Sequence, residues 1–108
     1  MKINIVETKF CIGQCVFNTQ FDYRGVIIDV DSVYRGTAVW YKKNAPHRPS
    51  KKQPWYHILV HNAVYRVYSD ESALMLDTSG ESINHPDVDY FFLEFKNGLY
   101  LLHAAYKT

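Results

Sequence analysis

The stretch Gln53-Pro54-Trp55-Tyr56-His57-Ile58-Leu59-Val60 decides how the rest of the chain is read. Its proline bars helix at the start, because the ring removes a donor and pushes the preceding residue into extended backbone. Aromatic and β-branched residues follow without a break, the composition of a strand. Alternation then places Tyr56, Ile58 and Val60 on one face and Trp55, His57 and Leu59 on the other. The first set is expected to fill a core, and Trp55 with His57 to look outward.

Working outward from this strand, three more short runs read the same way. Residues 14–19 (QCVFNT) alternate, 24–31 (RGVIIDVD) are β-branched and apolar, and 65–69 (YRVYS) alternate again. His61-Asn62-Ala63-Val64 reads as a hairpin connection between the last two. Short antiparallel strands with few helical patterns predict a mainly β fold, a small barrel or sandwich. In NHPDVDYFFLEFKNG the residues Val88, Phe91, Phe92 and Phe95 repeat at i, i+3, i+4, i+7. Pro86 falls at a first-turn position and Asn97-Gly98 at a stop, so the pattern predicts one short C-terminal helix over about 86–96. LYLLH after it is a candidate last strand or extended cap over a sheet edge.

The chain has 108 residues, 47% hydrophobic and 21% charged, which fits one globular domain over 1–108 and excludes disorder. Aromatic content of 16%, with nine tyrosines, fits half-exposed strands or a partner-contacting surface. No run approaches the ~18 apolar residues of a membrane span, and neither a signal-peptide core nor a membrane partner is expected. Cys11 and Cys15, if extended, lie about 13 Å apart, beyond bridging distance. Free thiols fit a reducing, cytoplasmic setting. His57 and His61 share one face of their strand, but a third ligand is not evident, so no metal and no cofactor are expected. His57 is better read as a packed or hydrogen-bonded strand residue.

The net charge of +1 hides a strong asymmetry. Between Asp31 and Asp70 there is no acid, while Arg35, Lys42, Lys43, Arg48, Lys51, Lys52 and Arg66 all fall there. Most of them lie in a long basic loop at about 33–53, whose prolines argue against continued helix or strand. Val33 to Tyr41 is apolar enough to pack partly, and Lys42 to Lys52 is expected to project into solvent. Clustered Lys and Arg gain affinity for DNA by releasing the counterions condensed on its phosphates. Lys42, Lys43, Arg48, Lys51, Lys52 and Arg35 are therefore the candidate DNA-binding cations, with Trp40, Tyr41, Trp55 and His57 as flanking groups that could stack on bases. A solvated loop whose charge serves solubility is the competing explanation. No residue announces the apolar base-edge contact that reading a methyl group requires.

Catalysis is not expected: none of the five histidines or the serines sits in a nucleophile elbow or Gly-rich phosphate loop. A generic protein-interaction module without DNA binding is the alternative. In it Tyr56, Tyr65, Tyr68 and the acids of Asp70-Glu71-Ser72 would matter more than the lysines.

Four blocks carry a family resemblance. F-x-IGQ-x-V spans Phe10 to Val16, YRGVIIDVD spans Tyr23 to Asp31, QPWYHILV spans Gln53 to Val60, and INHPDVDYFFLEFKNGLY spans Ile83 to Tyr100. In this order and spacing the chain resembles the HspQ family of small heat-shock proteins, also described as YccV-like or hemimethylated-DNA-binding domains. The resemblance implies an SH3-like barrel of about five antiparallel strands in a non-enzymatic cytoplasmic protein that forms homo-oligomers. It further implies promotion of Lon-dependent degradation of denatured proteins, including the replication initiator, and binding of DNA, notably hemimethylated origin DNA. Two positions depart from the family pattern. Asp22 stands where glycine is usual, and YRVYSDESALML replaces the more usual Tyr-Val-Ala-Glu-Glu-Asn.

Overall fold

The structure, a computed structural model, describes residues 7–103. Turn residues divide this span into seven strands: β1 (Cys15–Asn18), β2 (Tyr23–Asp31), β3 (Trp55–Val60), β4 (Arg66–Asp70), β5 (Leu74–Leu76), β6 (Phe92–Lys96) and β7 (Leu99–Leu102). Two short helices, α1 (Ala38–Asn44) and α2 (Val88–Phe91), and a one-turn 3₁₀ helix at Glu71–Ala73 complete it. The first five strands form one antiparallel sheet of order β4-β3-β2-β1-β5, and β6 pairs with β7. This meander, with a 3₁₀ turn leading into β5, has the strand order of an SH3-like barrel. No ladder joins β4 to β5 among the described residues.

The β1–β2 turn explains why the departure at Asp22 is tolerated. Asp22 has φ 57°, the left-handed conformation that glycine adopts freely and that Asp tolerates better than most residues. Asn18, buried beneath the turn, accepts the N–H groups of Gln20 and Phe21 at 2.9 and 2.8 Å and donates to Ser69 and Tyr23. The turn geometry therefore survives without the glycine.

Strand β3 is buried on both faces. Its inner residues Tyr56 and Ile58 join Phe10, Val16, Ile27 and Leu74 in the barrel core. On the other face Leu59 packs with Cys15, Val26, Ile83, Phe92 and Tyr100 in a second core under the C-terminal hairpin. The alternation of β3 is as the sequence predicts, but its second face is not an outer one at Leu59. Burial also pushes the Cys15 thiol up to about 11, and both cysteines are free.

Of the C-terminal helix expected over about 86–96, only Val88–Phe91 is helix, and Phe92–Lys96 is strand. Helix ends at Phe91, and β6 turns at Asn97 (φ 55°) and Gly98 (φ 77°) into β7. Both angles are positive, the type I′ hairpin geometry that Asn-Gly favours, so the dipeptide that read as a helix stop is a hairpin turn. Phe92 and Tyr100 reach the second core from the two arms, and the Tyr100 hydroxyl accepts the Ile83 N–H at 2.7 Å.

The long connection after β2 also departs from expectation, because it contains α1. Thr37 caps this helix by accepting the Trp40 N–H at 3.0 Å. Pro46, Pro49 and Pro54 all follow its last residue, so none interrupts its hydrogen bonds.

The N-terminal end of the described chain is tied to the 3₁₀ turn through buried Tyr56. Its hydroxyl donates to Glu71 at 2.6 Å and accepts the Phe10 N–H at 3.3 Å, while Lys9 N–H reaches the same carboxylate.

Close packing between β2 and β3 leaves no room for a side chain at Gly25, where a Cβ would lie 2.6 Å from the Leu59 carbonyl oxygen and against Ile58. Gly25→Val is expected to destabilise by about 2 kcal/mol or more, lowering Tm by roughly 10 °C. Thermal melting checks this, and a Tm unchanged from wild type would contradict it.

Candidate nucleic-acid interface

At its Trp55 end the outer face of β3 needs a cover, and the connection supplies one from its own aromatic residues. Tyr34, Trp40 and Tyr41 fold back over Trp55, with ring centroids 4.9, 6.2 and 6.3 Å from the indole, and Tyr68 of β4 joins them at 5.2 Å. Trp55 is left 1% exposed. Its ring is thus unavailable for stacking on a base, and it serves as the floor on which α1 rests.

The basic segment that follows α1 is not a free loop. Tyr41 donates to the Pro49 carbonyl at 2.7 Å, and Trp55 and Gln53 both donate to the Ser50 carbonyl. The Tyr34 N–H bonds the Lys51 carbonyl at 2.9 Å, and the Lys51 ammonium sits 4.4 Å above the Tyr41 ring. The backbone is folded onto the aromatic cluster while Lys42, Lys43, Arg48 and Lys52 remain exposed. Among the described residues these four make no ion pair. Asp70 is buried and bonded to His47 and Ser72. The surface of this segment is therefore cationic, held by a rigid support.

Beside it lies a polar network on the outer face of β2, β3 and β4. Asp31 Oδ2 accepts from the Tyr68 hydroxyl at 2.7 Å and lies 3.0 Å from His57 Nε2. Tyr68 in turn accepts the Arg35 N–H at 3.0 Å, which fixes the chain entering α1. Desolvation by itself would raise the Asp31 carboxyl, but hydrogen bonds from Tyr68 and His57 and the charges of His57 and Arg35 outweigh it, and the net shift is downward. The Tyr68 phenol is pushed well up, first by burial and then by donating to a carboxylate.

A bulge in β2 assembles this network. Val26 pairs with Leu59 and Ile27 with Ile58, but Asp29, not Ile28, stands opposite His57. The extra residue flips the side-chain parity, so that Val30 turns to the core and Asp29 and Asp31 turn out. Asp29, Asp31 and His57 thereby come within 4.8 Å of one another through their ligand-type atoms. His61 lies just past the end of β3, and its Nδ1 accepts the Asn84 N–H at 2.8 Å. Asp31 and His57 are engaged with each other and with Tyr68.

Of the sequence candidates, then, the structure brings Lys42, Lys43, Arg48, Lys51, Lys52, Trp40 and Tyr41 into one folded unit around Trp55, with Arg35 and His57 at its border. Tyr34, Tyr68 and Asp31 belong to the same unit and are not marked by any charge or spacing signal. Tyr56, Asp70 and Glu71, named for a protein-contacting surface, are buried.

Residues 8–99 match the model of a family described as hemimethylated DNA-binding protein YccV like. The chain belongs to the YccV-like family. The YccV-like match takes in the barrel core, α1, the whole basic segment and all of the second core except its β7 residues.

Because the Asp31 shift is downward, its ionised form stabilises the fold above the ordinary carboxylate value of about 3.9, and that contribution is lost as pH falls through the lower folded value. Asp31→Asn is expected to cost about 1 kcal/mol at pH 7, the loss of charge-assisted bonds at a partly exposed site. Urea titrations across pH should show the gap from wild type closing below about pH 4. A gap that persists undiminished wherever the acidified wild type stays folded would refute the assignment.

Proposed function

We propose that this chain is a non-enzymatic, cytoplasmic DNA-binding protein that grips the phosphate backbone with the exposed cations of α1 and residues 45–53. One observation carries this: Lys42, Lys43, Arg48 and Lys52 stand exposed and, among the described residues, unpaired on a segment whose backbone is fixed by the Trp55 cluster. Cations needed only for solubility gain nothing from such a rigid mounting, whereas phosphate contacts do, because ordering entropy is already spent before binding. Each cation that meets a phosphate adds about −0.9 to the slope of log K against log salt. The family's description makes hemimethylated DNA the target of choice.

A variant with Lys42, Lys43, Arg48 and Lys52 changed to Ala is expected to bind duplex weakly, with a salt slope flatter by about 3 to 4. Anisotropy titrations of wild type and variant over a salt series measure this, with hemimethylated and unmethylated duplexes in parallel. Absence of wild-type binding at low salt, or an unchanged slope, sinks the proposal.

A second activity, help to the Lon protease in degrading denatured proteins including the replication initiator, follows from the resemblance to the HspQ family. One structural feature favours it. At the opposite edge of the sheet from β4, the edge strand β5 leaves Met75 54% and Leu76 46% exposed. An exposed apolar edge can pair with an extended segment of an unfolded polypeptide. Purified Lon should degrade the initiator faster when this protein is added, and unaltered turnover would exclude the activity.

A further inference from the structure

The two covers of the outer face of β3 do not meet. Trp55 lies under α1 and Leu59 under the C-terminal hairpin, while the His57 side chain between them is 41% exposed. Next to it opens a pocket of about 360 Å³, walled by Trp40, Tyr68, His57 and Thr37, with Asp31 and Arg35 at its rim. That volume is at the small end of the ~300–1,000 Å³ range of small-molecule sites. Its rings are held in place from behind: His57 and Tyr68 lie 4.5 Å apart, and Trp40 stands 5.7 Å from Tyr68. Both protein donors to Asp31 converge on Oδ2, which leaves Oδ1 without a hydrogen bond among the described residues.

We propose that this pocket receives one unstacked nucleobase from the DNA bound on the neighbouring basic segment. Aromatic walls give a base a stacking surface whatever its sequence. The free Asp31 oxygen is an acceptor for an exocyclic amino group, and the Arg35 side chain is a donor for a ring nitrogen or carbonyl. The other guest that aromatic walls beside a carboxylate can hold is a cation, such as a lysine side chain. Charge argues against it here. The carboxylates of Asp31 and the neighbouring Asp29 are set against Arg35 and His57, and Lys42 and Lys43 on the adjoining helix would repel a cationic guest while drawing in a polyanion.

This inference rests on the DNA-binding function proposed above, and one experiment separates the failure of each. Labelled short duplexes that are fully paired, or that carry one bulged adenine, are titrated at low salt with wild type, Trp40→Ala and Trp40→Phe. A bulged base has its unstacking cost removed, so wild type is expected to bind that duplex about fivefold or more tighter. Trp40→Ala should erase the preference, and Trp40→Phe, which keeps a ring, should retain part of it. Circular dichroism melts accompany each variant, and the wild-type comparison stands even if Trp40→Ala fails to fold. Equal wild-type affinity for both duplexes, or a preference that survives in folded Trp40→Ala, overturns the pocket assignment and leaves DNA binding intact. Failure to bind either duplex overturns DNA binding and the pocket with it. A lysine-rich peptide that binds wild type but not folded Trp40→Ala, with no preference for the bulge, overturns it in favour of a protein partner.

Discussion

Strand β3 must be covered on both faces, and most of the molecule is the consequence. Its inner face is satisfied by the curl of the five-stranded sheet, but Trp55 and Leu59 on the other face would leave large apolar surfaces in water. Burying each contributes on the order of 2–3 kcal/mol, a large share of the 5–15 kcal/mol by which a domain is usually stable. The chain covers the two ends separately, with its longest connection over Trp55 and its C-terminal hairpin over Leu59. His57, midway between, is the residue neither cover reaches.

The separation explains how one small domain combines a rigid core with an exposed polar site. The same rings that bury Trp55 also anchor the backbone bearing the basic side chains, through the bonds of Tyr41 to Pro49 and of Trp55 to Ser50. Stability and presentation of charge are thus two results of one packing event. Of the nearby acids, Asp70 and Glu71 are buried, and Asp31 is held by Tyr68 and His57. The formal net charge says little about the field met by a polyanion on this side.

Several elements were legible because local chemistry and tertiary demand agreed. β1, β3 and β4 follow their alternation, and the basic segment declares itself by composition. Others were not, for identifiable reasons. Residues 88–95 carry a helical spacing of apolar residues, yet the chain keeps helix for only Val88–Phe91, because Phe92 and Tyr100 must reach one core from two paired arms. Asn97-Gly98 carried the decisive signal, ambiguous between helix stop and hairpin until the second run of apolar residues found its partner. Within the connection, α1 was obscured by prolines that all lie downstream of it.

By itself, the sequence determined a mainly β domain, the inner face of strand β3, a concentration of positive charge between Asp31 and Asp70, and the motif blocks of the YccV-like family. Only the tertiary structure decided where the acids beside that charge would point. In Asp29-Val30-Asp31, strict alternation from Ile27 would send both carboxylates into the core with Tyr56. The bulge at Ile28 shifts the parity by one residue and sends Val30 inward instead. A bulge is set by pairing with β3, and its signal is spread over residues some thirty positions apart. Burying two carboxylates would cost far more than one irregular pair in a ladder, and that difference fixes the register.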